Sequence, residues 1–417
     1  MSFQIALSGL DASSTSLEVT SNNIANSRTN GFKESRPEFS DVYASSINDS
    51  SSTAAGRGVR VNKIAQQFSQ GTVDFTSRNL DLAINGDGFF VLQGDDGGIE
   101  YTRAGAYSSD KDGFIVNHKL QKLQVYPAVT DSSGTTTFTT GVLQDLQLPL
   151  ANSAPNATTE LTAALNLDAA AAPPTGGAFD PTSPQADQYN YATSSTVYDS
   201  LGAAHTLSIY FVKNTPPPDN TWEVFSLVDG NDVTPAANTM TFDTGGSLQA
   251  VGGVAGATQM PLSAYTFPGS DPLAITYNLV DMTQYGGDFA VSNIVQNGYA
   301  TGRLSGLDID SEGVAFARYT NGQATALGKV ALAKFNSPQN LTKLGDTNWG
   351  ESFASGQALL GEATTSSFGS IQSGALEASN VDLAEQLVNL IVAQRSFQAN
   401  SKVVTSVDQI LQTIINI

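Results

Sequence analysis

LAEQLVNLIVAQRSFQANSKVVTSVDQILQTIINI, residues 383–417, settles the architecture of this chain. Leu383, Leu387, Leu390, Gln394, Phe397, Ser401, Val404, Asp408, Leu411 and Ile415 alternate in steps of four and three. That period belongs to a helix with a coiled-coil seam. A second stripe, Val403, Val407, Ile410, Ile414 and Ile417, runs beside it. Such a helix spans roughly 50 Å, and two apolar stripes cannot both be buried against one partner helix. The ordinary alternative is a pair of amphipathic helices packed on a globular core. Against it, the long stretch before residue 383 shows almost no extended helical period. The helix has little to pack on except the other end of the chain and further copies of itself.

The other end has a matching pattern. Phe3, Leu7, Leu10, Ser14, Leu17, Ser21 and Ile24 repeat the alternation of four and three, weakened by two serines and uninterrupted by proline. The segment SNNIANSRTNGFKESR (21–36) follows, with Asn22, Asn23, Asn26 and Asn30. Asparagine is poor inside helices and good at caps and in left-handed positions. Its density here marks the end of the helix, and Asn30-Gly31 reads as a turn.

Between the ends the chain reads as β-structure. Short alternating runs such as AINGDGFFVLQ, HTLSIYFVK, WEVFSLV, LAITYNLV and VALAKF are separated by Asp95-Asp96-Gly97-Gly98, Asp112-Gly113 and Asn321-Gly322. Hairpins within sandwiches or barrels have this rhythm. From about residue 145 to 285 the only basic residue is Lys213, which places a separate acidic β domain at 146–284, inserted into another. LDAAAAPPTGGAFDPTSP (167–184) and Pro216–Pro218 read as loop. YSSDKDGFIVN (107–117) and LDIDSEGVAFARYTNG (307–322) both run from a strand through an acidic turn with glycine into a second strand. Asp308, Asp310 and Glu312 imitate the start of a calcium loop, but the twelfth position is Tyr319 rather than Glu, and the segment reads as a hairpin turn.

Composition excludes several classes. Net charge is −20 and the pI near 4.2, which disfavours nucleic acid and anionic membranes as partners. Only 14% of residues are charged, against roughly 25% in ordinary globular proteins. No cysteine is present, so disulfides and thiol chemistry play no part. MSFQIALSGLDASS lacks a basic start and a continuous apolar run, so it does not read as a cleavable secretory signal; no apolar run is long enough to span a membrane. His118 and His205 stand on strand-like segments without ligand spacing, and no P-loop, dinucleotide fingerprint or nucleophile elbow occurs. These residues point to no enzyme activity, metal or cofactor.

LSGLDASSTSLEVTSNNIANSRTNGFKESR and SNVDLAEQLVNLIVAQRSFQANSKVVTSVDQILQTIINI resemble the terminal signatures of the flagellar axial family: rod, hook and hook-associated proteins. GTVDFTSRNLDLAINGDGFFVLQ, YTRAGAYSSDKDGFIVN and YTNGQATALGKVALAKFNSPQNL are similar to that family's shared shell domain. TVYDSLGAAHTLSIYFVK, followed by Trp222, resembles the outer domain of its hook branch, which shorter rod members lack.

The resemblance implies a multidomain α+β fold. Terminal α-helices pair as a coiled coil, with two mainly-β domains between them. The implied domains are 1–30 (N-terminal helix), 31–70 (extended linker), 71–145 with 285–360 (β-rich shell), 146–284 (outer β domain) and 361–417 (C-terminal segment and helix). The polymerisation seam would be Phe3, Leu7, Leu10, Leu17, Ile24, Leu383, Leu387, Leu390, Phe397, Val404, Leu411 and Ile415. Asn22, Asn23 and Asn26 would turn the chain outward, with Asn30-Gly31 leading into a linker ordered only against neighbouring subunits. The function implied is a structural subunit that polymerises into a curved hollow tube, a universal joint carrying torque. Implied partners are further copies of the chain, the distal rod protein, the hook–filament junction protein, the hook cap protein, the export apparatus and the length-control protein. Two rival readings are another axial protein such as a distal rod subunit, and an extracellular β-rich adhesin or enzyme. The first would lack the inserted domain, and the second leaves the terminal seams unexplained.

Overall fold

The computed structural model describes residues 2–42, 56–131, 135–214, 220–365 and 367–415. Two α-helices, α1 (Ser2–Ala25) and α2 (Leu383–Ile415), flank the described residues, and between them these are strand and turn apart from one short 3-10 turn at Pro338–Asn340. The chain divides into two compact units: residues 1–150 with 305–318 and 324–417, and residues 151–304 with 319–323.

In the first unit, a large mainly antiparallel sheet runs in the order Leu304–Ile309, Val314–Tyr319, Ala324–Lys334, Lys122–Thr130, Phe89–Gln93, Ile99–Thr102, Asn348–Gly350, Thr342–Gly345. Its central strands are covered on both sides. Phe90, Leu92, Val330 and Leu332 pack into one cluster, while Phe89, Val91, Ala331 and Ala333 pack into another. Successive side chains of a strand point to opposite faces, so a strand buried on both faces reads as the unbroken apolar run FFVL. Two small pairings tie the two ends of this unit together. Val73–Phe75 pairs with Ala375–Glu377, and Leu82–Asn85 with Ser370–Ser373. Ser35–Asp41 and Val59–Gln66 form a hairpin, and Gln66 accepts a hydrogen bond from Trp349 Nε1 at 2.7 Å. The tip of the linker after α1, residues 43–55, lies outside the described residues.

The second unit is a pair of sheets. Glu160–Asp168 is the centre of one, parallel to Thr276–Asn278 and Thr283–Tyr285 and antiparallel to Ala290–Gln296. The other is an antiparallel meander led by Tyr191–Tyr198, Ala204–Lys213 and Thr221–Val228. Along Glu160–Asp168, Leu161, Ala163, Leu165 and Leu167 are buried and alternate with more exposed residues. They meet Leu207, Ile209, Phe211, Trp222 and Val224 in one core, the packing of a β-sandwich. This unit runs past the expected boundary at residue 284, because Ala290–Gln296 is a strand of the same sheet. The stretch free of Lys and Arg, apart from Lys213, continues to Arg303. The loop after Asp168 is less detached than its composition suggests: Phe179 stacks on Phe225 at 4.5 Å and is buried.

The two acidic turns share one geometry. Asp110 Oδ1 accepts backbone N–H groups of Asp112 and Phe114, and Asp310 Oδ1 those of Glu312 and Val314. Gly113 and Gly313 sit at φ of 85° and 83°. Each aspartate organises its own hairpin, as the likeness of the two segments suggested.

Candidate assembly site

The two helices pack antiparallel, with Asn23 beside Gln386 and Gly9 beside Asn400. Their contact stripe is made of small and polar residues. On α1, Ala6, Ser13, Thr20 and Asn23 are buried; on α2, Gln386 and Ala393 are. A Cβ on Gly9 would stand 2.8 Å from the Asn400 side chain, so glycine there sets the close approach. A groove of about 730 Å³ opens between α1, strand Ser35–Asp41 and α2; Ser13, Ser16, Thr20, Asn389 and Ser396 are among its lining residues, with Glu34, Arg36, Phe39 and Val392.

The expected seam lies elsewhere on the helix surfaces. Phe3, Leu7, Leu383, Leu387 and Phe397 are exposed, and Leu10, Leu17, Ile24, Leu390 and Val404 are half-buried. On α2 the phase is half right. Leu390, Phe397 and Val404 flank the contact, but its other positions are 386, 393, 400 and 407 rather than 387, 394, 401 and 408. The side chains of Leu411 and Ile415 lie outside the described residues. Periodicity counted apolar residues and so passed over a stripe of Ala, Gly, Ser, Thr and Asn.

The asparagines at the end of α1 divide their roles. Asn26 donates from Nδ2 to the Asn22 carbonyl at 3.0 Å, satisfying the helix end. Asn23 does not cap. It is buried and holds Ser35 as a strand would, accepting from Ser35 N at 3.0 Å and donating to Ser35 O at 2.8 Å. It also donates to Gln386 Oε1 at 3.1 Å, and Gln386 Nε2 donates to Glu34 Oε1 at 2.9 Å. Burial raises the Glu34 pKa, and the nearby Glu385 adds to that. Asn30 leads into Gly31, whose φ is 70° and whose N–H donates to the Glu377 carbonyl at 2.8 Å. A Cβ there would meet Ala104 N at 2.5 Å, so turn and close approach both require glycine. On the other helix Asp382 is the N-cap, accepting from Ala384 N at 2.8 Å.

Beneath this turn lies an ionic node absent from the expected site residues. The Glu377 carboxylate is fully buried. It accepts from Lys33 Nζ at 2.5 Å, Gly71 N at 3.0 Å and Arg103 Nη1 at 3.0 Å. Lys33 also donates to Ser69 O, and Arg103 to Gly86 O and over the Phe89 ring. Burial lowers the Lys33 pKa, opposed by Glu377. Charges are scarce in this chain, and Phe32-Lys33 and Ala375-Leu376-Glu377 place one beside apolar residues. That was the available signal, since a charge is rarely buried unless paired. The node fastens the exit of α1, the approach to α2 and the segments around Gly71, Gly86 and Arg103 at one point.

Family profiles match the same segments. One described as Flagella basal body rod protein covers residues 3–33, and one described as Flagellar hook protein FlgE/F/G D1 domain covers 83–149. The Flagellar basal body protein FlaE D2 domain covers 166–299, and the Flagellar basal body rod FlgEFG protein C-terminal covers 372–417. The flagellar hook protein FlgE of Escherichia coli (strain K12) is 38% identical over 100% of both chains. This chain belongs to the flagellar hook protein family. The hook protein FlgE of Salmonella typhimurium is 37% identical over 100% of both chains, and that of Borreliella burgdorferi 33% over 99% of this chain and 98% of its own. The fold is similar to the crystal structure of Helicobacter pylori flagellar hook protein FlgE2, with a TM-score of 0.51 and 17% identity over 73% of this chain and 100% of that one. Within the hook-family profiles, Lys33 falls in the rod-type N-terminal match, Arg103 in the D1 match and Glu377 in the C-terminal match. The node therefore joins all three.

Proposed function

We propose that this structural subunit of the flagellar hook polymerises through its terminal helices into a curved hollow tube, a universal joint that carries torque while bending. One observation carries the reading. The helix pair buries small and polar residues between its members and leaves Leu7, Leu383, Leu387, Val388, Ile391 and Val392 exposed. Burying such side chains stabilises by about 1.5–3 kcal/mol each, and neighbouring copies are the surfaces that provide it. Torsional stiffness then comes from the helices, and compliance from β units whose acidic surfaces make weak, mutually repelling contacts. The Lys33–Glu377–Arg103 node transmits load from helix to shell.

The seam of this reading comprises the residues named from the sequence, with Leu387 at its centre. Distal rod protein and hook–filament junction protein are the neighbours it assigns to the two ends of the tube. A cap protein, the export apparatus and a length-control protein act during growth, and the chain leaves the cell without a cleaved signal. Catalysis and cofactors have no role in it. The test is Leu387→Asp in the full chain. It is expected to abolish tubes in electron microscopy while leaving the unfolding transitions of both β units unchanged. Tubes of normal yield and stability from that variant would refute the seam.

A further inference from the structure

Helix α1 carries two charged residues, Asp11 and Glu18, seven apart and both exposed. Helix α2 carries two basic residues, Arg395 and Lys402, also seven apart and exposed. Seven residues of helix rise about 10.5 Å, so the two ladders have the same spacing. None of the four side chains makes an ion pair or side-chain hydrogen bond among the described residues.

Their placement explains why. Asp11 and Glu18 each lie two residues before a buried contact residue, Ser13 and Thr20. Arg395 and Lys402 each lie two residues after a contact residue, Ala393 and Asn400. Two residues turn a helix by roughly 200°, so both ladders stand on the side away from the chain's own partner helix. On those outward faces Leu7 sits one turn before Asp11, and Ile391 one turn before Arg395; both are exposed.

We infer that the outward face of α1 docks on the outward face of α2 of a second copy of this chain, Asp11 against Lys402 and Glu18 against Arg395. The inference rests on the polymerisation reading and names its contact. Copies repeated along a tube keep corresponding helices parallel, so α1 of one meets α2 of the next antiparallel, as it meets its own. The charges also act against the alternatives: α1 on α1 sets acid against acid, and α2 on α2 base against base. Two unlike complementary faces make a heterologous contact, which propagates as an open helix rather than closing as a dimer.

The test is charge exchange in the full chain, read by sedimentation and electron microscopy of tubes. Glu18→Lys with Asp11→Lys, or Arg395→Glu with Lys402→Glu, is expected to raise the concentration needed for tubes by roughly tenfold or more. All four changes together are expected to restore it, and so is mixing the two reversed chains. Reversed chains that assemble like the parent, or a four-fold exchange no better than either half, would overturn the pairing. Thermal unfolding of the β units serves as the folding control. A second measurement uses the absence of native cysteine. In Glu18→Cys with Arg395→Cys, a short bismaleimide is expected to give a ladder of multimers from tubes. Cross-linking confined to single chains, or none while tubes persist, overturns the inference and leaves polymerisation standing. A parent chain that forms no tubes overturns both.

Discussion

The second unit and the helix pair solve the burial problem in opposite ways. In the unit spanning 151–304, the alternating Leu161, Ala163, Leu165 and Leu167 turn inward and meet Trp222 and Phe211, all nearly without exposure. In the helix pair, Ala6, Ser13, Thr20, Asn23 and Ala393 turn inward, while Leu7, Leu387 and Ile391 face out, Leu387 at 51% exposure. The first completes its apolar core within one chain. The helix pair uses its close packing on small residues, which let two backbones approach, and leaves its apolar area exposed. Stability of one is a property of the subunit; on the proposed polymerisation, stability of the other is a property of the polymer.

The sharpest way to break this contrast is at the node that serves both helix ends. Glu377→Ala strands Lys33 and Arg103 without a counter-charge in a buried site, and is expected to cost about 3–5 kcal/mol in chemical denaturation of the first unit. A cost below about 1 kcal/mol would mean that water already reaches the node. Next comes the self-sufficient side. Trp222→Ala is expected to destabilise the second unit by about 3–4 kcal/mol and leave helix content by circular dichroism unchanged. If the helices melt together with that unit, the two regions are not energetically separate.

Acid is expected to act on the second unit through a polar group of its own. His205 Nδ1 lies 2.7 Å from Asp229 Oδ2, and Asp199 lies on its other side. Burial opposes ionisation of both aspartates. Hydrogen bonds from Ala203 and Leu201 N–H to Asp199, and from Thr206 N–H and His205 Nδ1 to Asp229, outweigh it, helped at Asp199 by the nearby His205 ring, and hold both carboxyls below their usual 3.8. The folded unit thus binds fewer protons than the unfolded chain. The stability this provides is present above about pH 4 and is lost as pH falls through the lowered values. His205→Gln is expected to flatten that acid limb in pH-dependent melting; an unchanged limb would remove the histidine from the account. The smallest effect expected is the most telling for the contrast. Leu387→Ala is expected to change the unassembled chain by less than about 0.5 kcal/mol, as at an exposed site, yet to weaken tubes measurably on dilution. A large loss in the unassembled chain would mean the helix already buries that face.

Much of this was legible from residue order alone. A period of four and three demands a helix whatever lies beside it. FFVL reads as a strand buried on both faces, and an aspartate four residues before the residue it must hold, with glycine between, makes a hairpin turn. Such local geometry depends on neighbours in the chain, so the sequence by itself determined the terminal helices, the β character between them and the turn at Gly31. The tertiary structure decided which stripe of each helix faces the other, because periodicity reveals that a face exists and not what covers it. It also placed Asn23 against Ser35 rather than at the helix end. The node is the extreme case: Lys33 and Glu377 lie 344 residues apart, and only the folded chain can bring together two charges whose burial requires that they meet.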